Sequence, residues 1–175
     1  MTFLFLLFVG LFLVLAQTVP PGAALHLTPA FDPTALFVLF LALFRPPVQG
    51  AVLAVFLGSV MDLFAGGPPG PHLAAFLWIF AGARSVPRYV RPTNPFFLAL
   101  ASVLAVGVEA LVLSWASLLA PGSGIPAAGL ARFWGRAMIW AGAAGWALVL
   151  TLSLAVAKLE KRISVHADER GEPSS

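Results

Sequence analysis

The sequence predicts an all-α membrane protein, a polytopic bundle of six transmembrane helices in a single domain, 1–163. Of its 175 residues, 60% are hydrophobic and only 10% are charged, and the mean hydropathy is +0.96. A soluble domain usually carries about 25% charged residues, so the deficit indicates a bilayer as the surrounding solvent. The apolar runs approach the ~20 residues that a helix needs to cross the hydrocarbon core, and proline- and glycine-rich stretches separate them.

The predicted spans follow these runs in order. The first, 3–19, lacks a basic start and is longer than the apolar region of a secretory signal, which favours a retained helix over a cleaved one. The second to fourth are short, as is typical of helices that tilt little or stop below the surface. The fourth opens with Pro71, which has no intrahelical N–H bond to lose in the first turn. The spans are 3–19, 34–44, 50–65, 71–83, 96–120 and 131–157. The remaining 164–175 is a polar cytoplasmic tail that we expect to be disordered.

The basic residues predict an inner-membrane protein with both termini in the cytoplasm. With six spans, eight of the ten Lys and Arg side chains fall on the side of the termini. The first two outer connections hold none, and only Arg132 and Arg136 lie near the third. This split fits the positive-inside rule, so the net charge of +3 is a topology signal rather than a nucleic-acid surface. The eight are Arg45, Arg84, Arg88, Arg91, Lys158, Lys161, Arg162 and Arg170.

Four ionisable side chains fall within the predicted spans or at their outer ends: Asp62, Glu109, Arg132 and Arg136. Such residues usually face the bundle interior and find a partner. By helical rise, Asp62 lies ~5 Å and Glu109 ~15 Å from the outer ends of their helices. The two arginines open the sixth helix, one turn apart. The sequence therefore predicts an intramembrane charge cluster that links the third, fifth and sixth helices.

Small residues recur every four positions on these helices, a pattern that lets helix backbones approach closely in lipid. On the third helix, Gly50, Ala54 and Gly58 lead to Asp62. The other stripes are Ala101, Ala105 and Glu109 on the fifth helix and Ala137, Ala141 and Gly145 on the sixth. The pattern favours a structural charge at Asp62, paired with one of the two arginines, over a catalytic or proton-carrying role. The alternative is a helix-end carboxylate solvated by water.

No constellation of residues indicates an enzyme, a cofactor or a metal site. Cysteine is absent, and His26, His72 and His166 lie far apart, with no pair at i and i+4. Ser59 and Ser114 have no histidine nearby in the sequence, and GGPPG lacks the Lys-Ser/Thr of a phosphate loop. We expect no catalytic residue, no cofactor and no metal.

The segment PPVQGAVLAVFLGSVMDLFAGGPPGPHLAAFLWIF, 46–80, resembles the central signature of the MreD family of rod-shape-determining membrane proteins. That signature has a glycine entering a helix, a glycine shortly before an aspartate, then a Gly/Pro turn and a new helix. The length, the six spans and the short charged tail fit as well. The matching positions are Gly50, Gly58, Asp62, Gly67 and Gly70.

The resemblance implies a non-enzymatic component of the bacterial cell-elongation machinery. Its expected partners are MreC, and directly or indirectly MreB, RodA and a penicillin-binding protein. The family resemblance also implies a fold similar to the substrate-binding subunits of energy-coupling-factor transporters, which leaves a vitamin-uptake subunit as the alternative function. Such a subunit needs convergent polar groups, whereas the spans of this chain are poor in Asn, Gln, Tyr and Ser.

Overall fold

The computed structural model describes residues 2–18, 32–66, 69–86, 94–119 and 127–169, and their side chains except those of 18, 127–131, 133 and 162–169. The described ranges contain α-helices and one π-helical segment, and no strand lies within them. The all-α prediction is therefore confirmed for this part of the chain. The elements are α1 (Thr2–Thr18), α2 (Pro33–Phe44), α3 (Pro47–Ala65), α4 (Pro71–Ser85), α5 (Pro95–Leu119), α6 (Ala127–Trp140), the π segment (Ala141–Gly145) and α7 (Trp146–Glu169). The last three follow one another without a break.

Local sequence signals set where the helices begin and end. A proline is the first residue of α2, α3, α4 and α5, where its missing N–H would have had no intrahelical acceptor. Before α2, the Asp32 side chain accepts hydrogen bonds from the backbone N–H groups of Thr34 and Ala35. At the other end of α3, Gly66 adopts a left-handed backbone with φ of 64°, which ends the helix.

Helix α2 lies at the centre of the bundle. Every residue from Thr34 to Ala42 is buried, and α2 packs against α1, α3, α4, α5 and α7. A helix that is hydrophobic all round is buried by its neighbours. With 12 residues, α2 is about 18 Å long, much shorter than the ~30 Å hydrocarbon core of a bilayer. Its ends therefore depend on groups supplied by the surrounding helices.

The small-residue stripe of α3 lies against α4. Gly50, Ala54, Gly58 and Asp62 are all buried. A Cβ atom on Gly58 would lie 2.7 Å from the Cα atom of Leu73, closer than real Cβ contacts come. The obstacle is backbone rather than a flexible side chain. Gly58 thus permits the first turn of α4 to touch the backbone of α3.

Within the described ranges, three helices are long and apolar enough to cross a membrane: Pro47–Ala65, Pro95–Leu119 and Trp134–Lys161. Thr2–Gln17 and Pro33–Phe44 are apolar but shorter. Much of the outer surface is hydrocarbon, with Phe8 74% exposed and Trp115 70% exposed. This surface suits a lipid environment. Six crossings remain a prediction, because length alone supports three.

The tail expected to be disordered from 164 is instead helical as far as Glu169. The run AVAKLEKR, 155–162, is rich in strong helix formers, so α7 continues past its apolar part. The Glu160 side chain also pairs with Arg45 at 2.6 Å, which holds this part of α7 against the bundle. The last six positions, 170–175, lie outside the described residues.

The contact at Gly58 can be tested with a pair of glycine substitutions. We expect Gly58→Ala to lower the thermal unfolding temperature in detergent, because the new methyl group must push α4 away from α3. Overpacking of this kind costs about 1–3 kcal/mol. Gly82→Ala in α4 is the matched control, because a Cβ atom there meets nothing within 4 Å. It should be neutral or stabilising by up to about 1 kcal/mol. Equal unfolding temperatures for the two variants would contradict the close contact.

Candidate functional site

The Asp62 carboxylate holds the first turn of α4. Asp62 lies one turn before the end of α3, and its side chain is 6% exposed. Its Oδ2 accepts hydrogen bonds from the N–H groups of Gly70 at 2.9 Å and Leu73 at 3.1 Å. Its Oδ1 accepts one from the N–H of His72 at 2.9 Å. An α-helix leaves its first four N–H groups without intrahelical partners, so Asp62 caps α4 from a neighbouring helix.

This arrangement also compensates the Asp62 charge. The start of an α-helix carries roughly half a positive charge, which stabilises a carboxylate placed there. Backbone donors to an ionised oxygen give stronger hydrogen bonds than neutral pairs do. The N–H groups at the start of α4 therefore compensate the buried charge of Asp62, and Asp62 in turn gives these N–H groups an acceptor.

His72 adds a side-chain contact to the same carboxylate. Its ring Nδ1 lies 3.1 Å from Asp62 Oδ1, and the imidazole is 15% exposed. The His72 ring also stands edge-on to Phe76, with the ring centroids 6.5 Å apart. The imidazole is thus fixed between the carboxylate and the aromatic ring of the next turn of α4.

The glycines of the family signature serve the same junction between α3 and α4. Gly70, whose N–H binds Asp62, has a φ of 118°, in the left-handed region that favours glycine. Gly58, one turn before Asp62, permits the approach of Leu73. At Gly50, a Cβ atom would lie 2.6 Å from Cε2 of Phe80, near the other end of α4. Gly67 lies outside the described residues.

A second polar group joins α1, α2 and α5. Asp32 Oδ1 accepts hydrogen bonds from Gln17 Nε2 at 2.8 Å and from the N–H groups of Thr34 and Ala35 at 2.7 and 3.0 Å. The Thr34 hydroxyl donates to Gln17 Oε1. Glu109 of α5 is 1% exposed, and its carboxyl faces that of Asp32. Neither oxygen of Glu109 has a hydrogen-bond donor.

The structure places the four residues of the predicted charge cluster, Asp62, Glu109, Arg132 and Arg136, in different surroundings. Within the described residues, Asp62 is bound by the start of α4, and Glu109 faces another acid. The side chains of Arg132 and Arg136 are exposed. Similar depth along two helices does not make side chains meet, because rotation about each axis also decides the contact.

The opposite end of the bundle carries a basic group. Arg84 Nη1 donates hydrogen bonds to the carbonyl oxygens of Ala42 and Arg45, each at 3.0 Å, and so satisfies the last turn of α2. Arg45 in turn pairs with Glu160 of α7 and reaches Gln49 Oε1 at 3.4 Å. The ends of α2 and α4 therefore meet α7 at Glu160 here, whereas Asp62 lies at the other end of α4.

Asp32, Gln17 and Thr34, and the contact of His72 with Asp62, were not predicted from the sequence. Asp32-Pro33-Thr34 carries a helix-start signal, an N-cap aspartate followed by a first-turn proline, which would have identified Asp32 as a cap. No local pattern identifies Gln17 or His72 as partners, because both contacts depend on tertiary packing. Among the described residues, no group of three or more His, Cys, Asp or Glu side chains is arranged to hold a metal ion.

Comparison with known proteins gives a family. Residues 1–125 match the family model described as rod shape-determining protein MreD. The matched range contains α1 to α5, and with them Asp32, Asp62 and Glu109. No match was found among curated proteins or among solved structures.

Substitution of Asp62 tests its capping role. Asp62→Ala leaves three N–H groups of α4 without their acceptor, and each buried unsatisfied group costs about 1–3 kcal/mol. Asp62→Asn retains one acceptor oxygen but loses the charge, so we expect a smaller loss of about 0.5–2 kcal/mol. Thermal unfolding of the purified protein in detergent measures both.

Ser59→Ala is the matched control on the same helix, because the Ser59 hydroxyl only donates to Val55 O one turn back. It should leave the unfolding temperature almost unchanged. Unfolding of Asp62→Ala at the wild-type temperature would show that the cap contributes nothing to stability.

Proposed function

The chain belongs to the family of the rod shape-determining protein MreD, and from this premise we propose that it scaffolds MreC and the lateral peptidoglycan synthesis complex in the inner membrane. In this role it turns over no substrate. The observation that carries the proposal is the family match over residues 1–125. The family is known for shape determination rather than for catalysis, and the chain is accordingly a rod-shape-determining membrane protein.

The described contacts support a structural role. Asp62 and Arg84 use their charged groups to satisfy the ends of α4 and α2. Asp32 does the same at the start of α2. Groups committed to helix ends stabilise a rigid bundle, and a rigid bundle presents fixed surfaces to its partners.

The proposed contact with MreC lies in the bilayer, along the hydrophobic helices. The exposed side chains on α1, α4 and α5 are large and apolar, among them Phe12 at 69%, Trp78 at 68% and Leu111 at 72%. A partner helix can replace lipid on such a surface by van der Waals packing. RodA, a penicillin-binding protein and MreB join directly or through MreC, and no nucleic acid takes part.

The proposed topology has six crossings, with both termini in the cytoplasm. The Arg84–Ala42 and Arg45–Glu160 contacts bring the ends of α2 and α4 together with α7 at Glu160. They also gather basic residues at one end of the bundle, as the positive-inside rule expects of the cytoplasmic side. The Asp62 end would then face the periplasm.

The alternative function, a substrate-binding subunit for vitamin uptake, has no supporting observation. It depended on a resemblance of fold to transporter subunits, and no solved structure matches the chain. The family assignment points to shape determination instead.

Topology is tested with reporters inserted at two places. A phosphatase fused after Ser175 should be inactive, because a cytoplasmic C-terminus keeps it from the periplasm. The same reporter fused after Gly66, between α3 and α4, should be active. Activity after Ser175 and none after Gly66 would invert the proposed orientation, and activity at both would exclude the odd number of crossings that the proposed topology places between them.

The elongation role is tested by depletion. We expect rod-shaped cells to round up as the protein is depleted, because lateral wall synthesis loses its membrane scaffold. Expression of the wild type or of Gly82→Ala should restore rods, and microscopy of cell length and width measures the result. Rods that persist, with growth restored only by an added vitamin, would support transport instead.

The scaffold itself is tested in the same strains by co-purification from mild detergent. MreC should be recovered with the wild type and with Gly82→Ala, without crosslinking. Rounding on depletion without recovery of MreC in several detergents would retain the elongation role and reject the direct contact.

A further inference from the structure

Glu109 is a buried acid without a donor. It lies on α5, facing the interior of the bundle, and only 1% of it is exposed. Oε1 and Oε2 are both buried and both lack a hydrogen-bond partner. An ionised carboxylate in this position would have neither a counter-charge nor a hydrogen bond, and burial of such a charge is very costly.

Glu109 faces Asp32, which, unlike Glu109, has several hydrogen-bond donors. Asp32 Oδ1 accepts hydrogen bonds from Gln17 Nε2 and from two N–H groups at the start of α2. These donors and the start of α2 compensate a negative charge on Asp32. All three reach Oδ1, so Oδ2 remains available to accept another hydrogen bond.

The two carboxyl groups cannot hydrogen-bond to each other when both are ionised, because each is then only an acceptor. They nevertheless lie close enough to interact. A single proton resolves the conflict, since it supplies the missing donor and removes one of two adjacent negative charges.

We propose that Glu109 and Asp32 form a proton-binding site between α5 and α2, in which protonated Glu109 donates its O–H to the Asp32 carboxylate. The proton resides on Glu109, which has no other donor, rather than on Asp32, which has three. The bound proton joins α5 to the start of the central helix, α2. Its loss places two negative charges side by side and weakens that contact.

Among the described side chains, the other charged groups on the helices packed against α5 bind elsewhere or are exposed. On α4, His72 binds Asp62 and Arg84 binds the last turn of α2. On α6, the side chains of Arg132 and Arg136 are exposed. On α7, Lys158, Glu160 and Lys161 are exposed and lie near the Arg45 end, and the sequence AGAAG of the π segment carries no titratable group.

The site predicts how stability changes with pH. The folded protein keeps a proton on Glu109, whereas the unfolded chain exposes Glu109 to water and releases the proton at an ordinary acidic pH. The folded state then binds more protons than the unfolded state, so stability falls as pH rises. Glu109→Gln carries a neutral side chain of the same shape that can donate an N–H to Asp32, and this part of the pH dependence should disappear.

Infrared spectroscopy of the full-length protein in lipid vesicles tests the proton directly. A buried protonated carboxyl gives a C=O band separate from that of a carboxylate, and the band should shift in D2O. It should be absent in Glu109→Gln and present in Glu160→Gln, which removes a carboxylate that is paired with Arg45. In Asp32→Asn the band should remain but change frequency, because a neutral acceptor replaces the charged one.

Thermal unfolding at several pH values in detergent gives the second measurement. The wild-type unfolding temperature should fall from mildly acidic to alkaline pH more steeply than that of Glu109→Gln. The proposal is overturned if no carboxylic-acid band is lost in Glu109→Gln, or if the two proteins have the same pH dependence. It is also overturned if sodium chloride, but not choline chloride, stabilises the wild type and not the variant, because the site would then hold a metal cation. If Glu109→Gln does not fold, the frequency change in Asp32→Asn decides.

Discussion

The structure depends on satisfying the ends of a short, fully buried central helix. Helix α2 is about 18 Å long and the hydrocarbon core is ~30 Å thick, so the two ends of α2 cannot both reach water. Unpaired N–H and C=O groups are not tolerated at that depth unless protein supplies their partners. Asp32 supplies acceptors for the first turn, and Arg84, from α4, supplies donors for the last. The remaining helices can surround α2 because these two side chains make its ends stable.

The same requirement explains why charge occurs in so apolar a chain. Asp62 satisfies the start of α4 from α3, in the way that Asp32 satisfies the start of α2. Each of these contacts ties two segments together as well as capping one helix: Asp62 joins α3 to α4, and Arg84 joins α4 to α2. Gly58 and Gly70 complete the first junction by permitting backbone contact and a left-handed turn. The described residues of the family signature therefore all lie at the junction of α3 and α4, and their roles there are structural rather than chemical.

Helix positions could be predicted from the sequence because their signals are local. Apolar runs, first-turn prolines and Gly66 mark where the helices begin and end. The stripe from Gly50 to Asp62 likewise indicated a close helix contact, since a spacing of four places residues on one face. The central position of α2 could not be predicted, because a uniformly apolar helix suits lipid and protein core equally well. The partners of Asp62 and Glu109 were missed for a related reason. Sequence position gives depth in the bundle, whereas a contact also requires rotation about the helix axis and, for Asp62, backbone donors that no residue type reveals.

The contrast between Asp62 and Glu109 separates a structural charge from a responsive one. Asp62 has donors at both oxygens, so its charge is compensated by the helix that it caps. Glu109 is more deeply buried and has no donor on either oxygen. A carboxyl group without donors is stable there only in its neutral form, and that form depends on the supply of protons. Asp62 thus fixes the α3–α4 junction. Glu109 lies between α5 and the central helix, where the proposed gain or loss of one proton would alter the contact between them.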